Sequence, residues 1–377
     1  MRLAPTAHRL FAATCHLSAA SYISPLMTHP HAPPDPSPQD GAFLRSFFLT
    51  LLLLIVGTAL LTWLVDPLGV FGTRLLPPVL TVDRDQKAAL LRLRTPRPTQ
   101  LILGSSRAKT IDPRCLSAIT GEPAFNFAVN GASTDDLLAI LRYLRASRLP
   151  LRALVVGVDP EMLQGPGGPL PGLTASRVLG PFAGASAPDP ITSLGADLLG
   201  WQSVSAAVRS VWSQVAHPDS VPSTVLEPDG RQRYPRSEAA LQAGTFSSAE
   251  QVASSIPGIL RRYESFNQLN PDRIRVLEEF VREARQAGIS IVAFIPPVHP
   301  AFERAARATG WRARTEETVL LLRRLESEGL LRYFDSQALA GLGTDSTAFV
   351  DAIHFLAPVA DRLTESLFNR PGGCALQ

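Results

Sequence analysis

The chain has 377 residues, 45% of them hydrophobic, and a formal net charge of +3. That is long enough for one large domain or two small ones with an ample core. No Lys/Arg run or aromatic-basic stripe occurs, which argues against nucleic-acid binding; the only lysines are Lys87 and Lys109. Cys15, Cys115 and Cys374 are far apart, odd in number and without C-x-x-C spacing, so neither a structural zinc site nor a disulfide framework is expected.

Residues 1–42 read as a disordered or non-native N-terminal segment. Up to Met27 the run is mildly apolar and interrupted by Cys15, His16 and serines, so it is either a poor signal-like segment or a non-native extension, Met27 offering a second start; residues 28–42 are too proline-rich for helix or sheet. His29, His31 and, far downstream, His217 have no partner pattern. Within 43–67, Phe47–Val65 carries no charge, is bordered by Arg45 and by Asp66-Pro67, and holds Trp63 near one boundary. About 20 such residues cross a hydrocarbon core as a helix, so a transmembrane helix is expected here. Arg45 argues for a cytoplasmic N-terminus, whereas Arg74 and Arg84 follow on the other side, and the positive-inside bias is slight. Residues 68–96 read as a stalk.

From 97 to 370 short apolar runs alternate with helical patterns. Strands are expected at 101–103, 124–129, 153–158, 289–295 and near 331–334. Helices are expected near 112–120, over 134–147, along Ile274, Leu277, Phe280, Val281 and Ala284, and along Val319, Leu322 and Leu325. This alternation predicts a flavodoxin-like three-layer α/β/α fold on a five-stranded parallel sheet, whose site lies outside the carboxyl ends of the strands. Residues 164–265 form an insertion with one helix around Leu194–Val215 and a polar loop at Asp229–Tyr234. It either covers the site or decorates the periphery.

Two motifs carry chemistry. Gly104-Ser105-Ser106-Arg107 follows the first strand directly, where a serine is exposed at the sheet edge and a helix N-terminus offers N–H groups to an oxyanion; alternatively, the serines cap that helix. Asp351-Ala352-Ile353-His354 sets an acid three residues before an imidazole. Each motif has a structural explanation alone, but together, in the order Ser…Asp…His on one domain, they supply the parts of an acyl-transfer triad.

These residues resemble the SGNH, or GDSL-type, hydrolase superfamily, with its strand-terminal G-x-S block and C-terminal D-x-x-H block. Ser105 in place of the usual aspartate makes the chain similar to the membrane-anchored cell-envelope branch, which includes the D-alanine-transfer protein of teichoic-acid synthesis and the alginate O-acetylation proteins. The resemblance covers roughly residues 98–160 and 288–368. It implies Ser106 as nucleophile, His354 as general base, Asp351 as the orienting acid and Gly131, after Asn126-x-x-x-Asn130, as an oxyanion-hole glycine.

The third block departs from the family. Gly157-Val158-Asp159-Pro160 lacks the usual donor asparagine, and Asn130 or Asn126 is the candidate replacement. Arg107 binds an anionic substrate or is solvated; His299, after Pro296-Pro297, lines the site or rigidifies a loop; Asp335 supports the site or caps a turn. No metal cluster, G-x-G-x-x-G or P-loop sequence is present, so no cofactor is implied. The resemblance implies a serine esterase or O-acyltransferase at the inner membrane, its domain facing the periplasm or extracytoplasmic space. Its substrate would be an acylated cell-envelope polysaccharide or lipid-linked glycan, and its partner a membrane acyl-donor protein. The alternative is a catalytically weak saccharide-binding or scaffold component of an acylation or export complex.

Overall fold

The computed structural model describes residues 38–73, 75–76, 83–187, 189–216, 221–336, 342 and 346–376, the side chains of 38–40 and 375–376 aside. His29, His31, Arg74, His217 and most of the proline-rich segment lie outside the described residues. The chain divides into two compact units, Met1–Leu52 and Leu53–Gln377.

Helix α1 (Pro38–Val65) begins within the span expected to be disordered. Its portion Gly41–Val65, mean hydropathy 2.5, is long and apolar enough to cross a membrane. Asp66 ends it: φ is +44°, and the carboxylate accepts N–H bonds from Val70 (2.7 Å) and Gly72 (2.7 Å) in the next turn.

The main domain is α/β. Strands β1 (Gln100–Leu103), β2 (Ala124–Asn126) and β3 (Ala153–Gly157) are followed by a two-stranded antiparallel hairpin, β4 (Val225–Leu226) and β5 (Gln232–Arg233). Strands β6 (Ser290–Phe294) and β7 (Arg332–Phe334) complete the set. The principal sheet is parallel throughout and runs β2-β1-β3-β6-β7, with Leu101 opposite Phe125 and Leu154, and Val155 opposite Val292. Parallel strands need crossovers, and the helices provide them. The domain's helices, of which α2 precedes the first strand and α13 follows the last, are α2 (Asp83–Leu93), α3 (Pro113–Thr120), α4 (Thr134–Ala146), α5 (Pro171–Thr174), α6 (Pro190–Leu199), α7 (Trp201–Ala216), α8 (Pro235–Gln242) and α9 (Ala249–Leu260). After these come α10 (Pro271–Gln286), α11 (Pro300–Ala305), α12 (Trp311–Ser327) and α13 (Ala357–Leu367).

The helix starts are written locally. Asp112 accepts from the Arg114 N–H ahead of Pro113, Ser133 and Asp136 form a capping box on α4, and Asn270 caps α10 before Pro271. Alternate strand residues go to different clusters, as a period of two demands. Leu101, Leu103, Leu154, Val156, Ile291 and Ala293 pack with residues of α2, α4, α10 and α12; Ile102 and Val155 pack with residues of α3 and α13.

Several expectations are corrected. The second half of the supposed stalk is α2, whose Ala88, Leu90 and Leu91 belong to the main core, so the domain begins earlier than residue 97. Arg84 is no flanking membrane charge: it is buried against Asp136 at 2.7 Å. The Leu194–Val215 helix is two helices broken at Gly200, where an added Cβ would collide with the Ala196 carbonyl. The polar loop at 229–234 is the turn and second strand of the β4–β5 hairpin. A disulfide also joins Cys115 on α3 to Cys374, with Cα atoms 4.6 Å apart. A sequence separation of 259 hides that pairing from any spacing rule.

Candidate active site

Gly104 makes the turn out of β1. Its φ is +146°, and a Cβ there would sit 2.8 Å from the Ala108 Cβ and 3.0 Å from the Gly157 carbonyl oxygen. Only glycine lets the chain leave β1 so close to the end of β3. A short 3₁₀ turn, Ser106–Ala108, follows, and Ser105 rather than Ser106 caps it by accepting from the Arg107 N–H at 3.2 Å. The capping role and the exposed hydroxyl are therefore divided between the two serines.

Asp351 and His354 lie on a tight turn between Phe349 and Phe355, which form an antiparallel bridge just before α13. The Val350 N–H donates to the His354 carbonyl (2.8 Å). Asp351 Oδ1 accepts from the N–H groups of Ile353 and His354, both at 2.9 Å, leaving Oδ2 for His354 Nδ1 at 2.7 Å. Burial would raise this carboxyl, but the His354 ring and the two N–H groups hold it below the usual carboxylate range. On the other side of the ring, His354 Nε2 is 2.8 Å from Ser106 Oγ, across 248 residues of sequence. Hydroxyl, imidazole and carboxylate are thus in hydrogen-bonding line, the arrangement that a nucleophile, its general base and an orienting acid require. Ser255 on α9 receives the Ala352 N–H (3.1 Å), and the His299 N–H donates to the Ala352 carbonyl (3.0 Å), so the turn is anchored from outside.

Ser106 opens onto a cleft of about 260 Å³ lined by Arg107, Gly131, Ala132, Ser133, Asp159, Glu161, Met162, Gln164, Leu170, Arg262, Tyr263 and Ile353. Gly131 has φ +56°, and among the described residues the backbone N–H groups of Gly131 and Ser106 donate to no protein acceptor. Free N–H groups opening on the same cleft as a serine hydroxyl have the chemistry to meet a developing oxyanion. The loop bearing Gly131 is held from behind. Asp83 on α2 accepts the Asn130 N–H, and Lys109, itself 3.3 Å from Asp83, donates to Asn130 Oδ1 at 2.9 Å.

Other candidates are placed differently. Asn126 is fully buried, its Nδ2 donating to the carbonyls of Ala108 and Ile111 (2.9 Å each) and its Oδ1 accepting from the Ala128 N–H (2.9 Å). With its amide N–H groups taken by backbone carbonyls, it does not replace the missing donor. Asn130 is tied to Lys109 and does not line the cleft. Arg107 does line it but is not solvated: it is buried, 2.5 Å from Asp159 and 2.8 Å from Glu161. Burial pushes the Asp159 carboxyl up to about 6, opposed by Arg107 and reinforced by Glu161. The His299 side chain caps α11 by accepting from Ala301 N–H (3.0 Å) and faces a different cavity, with Phe246, Val252, Ile256 and Ser346. Asp335 forms an exposed ion pair with Arg323 (3.6 Å), away from the cleft.

Sequence reasoning missed Glu161, Tyr263, Arg262 and Met162. Tyr263, from the insertion, donates to Glu161, and burial together with that carboxylate raises its hydroxyl. The insertion therefore supplies part of the cleft wall. Tyr234, just after β5, feels the Asp351 charge: burial first, and that charge second, push its hydroxyl to about 12. Nothing in local pattern marks these positions, because each acts through a contact distant in sequence. Among the described residues, Cys115, Asp361 and Cys374 are the one His/Cys/Asp/Glu group close enough to share an ion, and its two sulfurs are joined to each other. No family profile, curated protein or solved structure matches this chain.

Proposed function

We propose that this chain is a membrane-tethered serine esterase or O-acyltransferase of SGNH type, acting on an acylated cell-envelope polysaccharide or lipid-linked glycan from the periplasmic face of the inner membrane. The observation that carries it is the unbroken line Ser106 Oγ–His354 Nε2 (2.8 Å) and His354 Nδ1–Asp351 Oδ2 (2.7 Å) opening on a cleft. Ser106 attacks the acyl carbonyl while His354 takes its proton; the oxyanion is met by the N–H groups of Gly131 and Ser106. Collapse expels the sugar oxygen, which receives the proton from His354, and leaves an acyl-serine. Water or a second sugar hydroxyl, deprotonated by His354, then takes the acyl group and regenerates Ser106. No metal or diffusible cofactor enters these steps.

The strand order β2-β1-β3-β6-β7 and the division of alternate strand residues between two helix sets support a flavodoxin-like three-layer arrangement. The Cys115–Cys374 disulfide supports an oxidising compartment for the domain. Helix α1 supplies the anchor, raising the local concentration of membrane-bound substrate. A membrane protein delivering the activated acyl group fits a transferase.

One observation favours a second reading. Where the family places a donor asparagine, Asp159 is locked to Arg107, and losing one oxyanion donor costs on the order of 100-fold or more in rate. That fits a scaffold or glycan-binding component. The full chain in detergent is treated with a fluorophosphonate and assayed on a chromogenic acetyl ester. Labelling and turnover that vanish in Ser106→Ala support the enzyme; glycan binding with no labelling at Ser106 overturns it in favour of the scaffold.

A further inference from the structure

Helices α6 and α7 of the insertion carry their hydrophobicity on the wrong side for a soluble domain. In α7 the residues that face inward are small, Ser203, Ala206, Ala207 and Ser210. At ~100° per residue, Trp201, Val208, Trp212 and Val215 fall on the opposite side. All four of those are exposed, Trp201 to 83% and Trp212 to 68%. In α6 the only buried residue is Asp197, which pairs with Arg177, while Ile191 is 82% exposed and Leu194 and Leu199 are also exposed. The Ser203 hydroxyl donates to the Ala196 carbonyl at 3.2 Å and ties the two helices into one hairpin. A soluble surface rarely gathers so many large apolar side chains, two of them tryptophans, without a partner.

We propose that the α6–α7 hairpin is a second, interfacial membrane contact, which lays its exposed apolar side chains, Trp201 and Trp212 of α7 with Ile191 of α6, into the headgroup–acyl boundary of a bilayer. Tryptophan is the side chain best suited to that boundary, being apolar in body with one N–H for the wet side. Charge fits as well. Between Pro190 and Ala216 the charged residues are Asp197 and Arg209. Asp197 is taken by Arg177, and Arg209, exposed beside Val208, has no ion-pair partner among the described residues. A free guanidinium flanking an apolar stripe suits lipid phosphate. Connectivity points the same way, because the segment 66–82 between α1 and α2 reaches on the order of 60 Å even when fully extended. A tethered domain therefore stays within reach of the same bilayer, at high effective concentration. The inference rests on the membrane tether proposed above.

The test uses the full chain reconstituted into phosphatidylcholine–phosphatidylglycerol vesicles with brominated acyl chains. A Trp63→Phe background removes the tryptophan of α1, and Trp311 is buried in the domain. Brominated lipid is expected to lower the remaining emission at least about twofold, since the interface places indoles against the acyl chains. The quenchable part is expected to disappear in Trp201→Ser/Trp212→Ser, and Arg209→Glu to weaken quenching on anionic vesicles more than on neutral ones. Emission unaffected by bromine but quenched by aqueous iodide overturns the proposal. So does emission shielded from both and dependent on protein concentration, which assigns the face to a second copy. A chain that fails to float with vesicles indicts the α1 tether; one that floats with Trp201 and Trp212 unquenched indicts the hairpin alone.

Discussion

At the residue scale, the division of labour between Ser105 and Ser106 decides what the first motif can do. The Ser105 hydroxyl is held by the Arg107 N–H, whereas the Ser106 hydroxyl meets the imidazole. Ser106→Ala is expected to lower acetyl-ester turnover by about 10³-fold or more while leaving the melting temperature nearly unchanged. Asp351→Asn keeps the turn but presents His354 in the wrong tautomer, with an expected loss on the order of 10⁴-fold in kcat. The Asp351 carboxyl lies below its ordinary range when folded. Its contribution to stability is therefore present above pH ~4 and lost as the pH falls through the folded value. Asp159 behaves oppositely. Its folded value, about 6, lies above the unfolded value of ~3.9, so the folded state holds the extra proton and stability declines as pH rises between the two. Asp159→Asn is expected to flatten the denaturation midpoint across that window, leaving the similar slope from Asp361, also pushed by burial to about 6.

At the scale of elements, the site depends on how α2 braces the loop carrying Gly131 and how the β4–β5 hairpin packs on β2 and Lys109. Both lysines of the chain are buried there. Lys109 grips Asn130, and Lys87 donates to the Asn126 carbonyl (2.9 Å) and to the Gly230 carbonyl, its ammonium held well below its ordinary range by burial and by the nearby Lys109. Lys109→Met is expected to release the Asn130–Gly131 backbone and lower kcat about 10- to 100-fold, with little change in KM, because the lost donor matters only to the oxyanion. An equal rise in KM would point to a general loosening of the cleft. Gly230 has φ +83° and lies so close to the Asn126 carbonyl that a Cβ cannot be placed. That close approach explains why the polar 229–234 segment forms a hairpin turn packed on β2.

At the scale of the whole molecule, the Cys115–Cys374 disulfide closes a loop with a sequence separation of 259 around nearly the entire domain. Long loops carry the largest entropic benefit, on the order of 5 kcal/mol at this loop length in the chain-entropy relation. Cys374→Ser, or reduction of the wild type, is expected to lower the melting temperature by several degrees, and reduction is expected to leave Cys374→Ser unchanged. A periplasm-active phosphatase fused after Gln377 is expected to be active; activity only for a cytoplasmic reporter would reverse the orientation.

What was legible in the sequence was what short-range physics writes. The uncharged run of α1, the five strands and most helices follow from apolar period and local caps such as Asp112-Pro113 and Asn270-Pro271. The D-x-x-H turn was legible because Asp351 and His354 are sequence neighbours. The meeting of Ser106 with His354 was only implied by resemblance, for 248 residues separate them and parallel-sheet topology brings them together. Long-range packing alone decided that Asn126 is spent on backbone carbonyls, that Arg107 is locked to Asp159 and Glu161, and that His299 caps α11 in another cavity. It also decided that Tyr263 walls the cleft and that two distant cysteines join. Residue type and spacing specify which groups are available; only burial and contact across the fold determine which of them remain free to act.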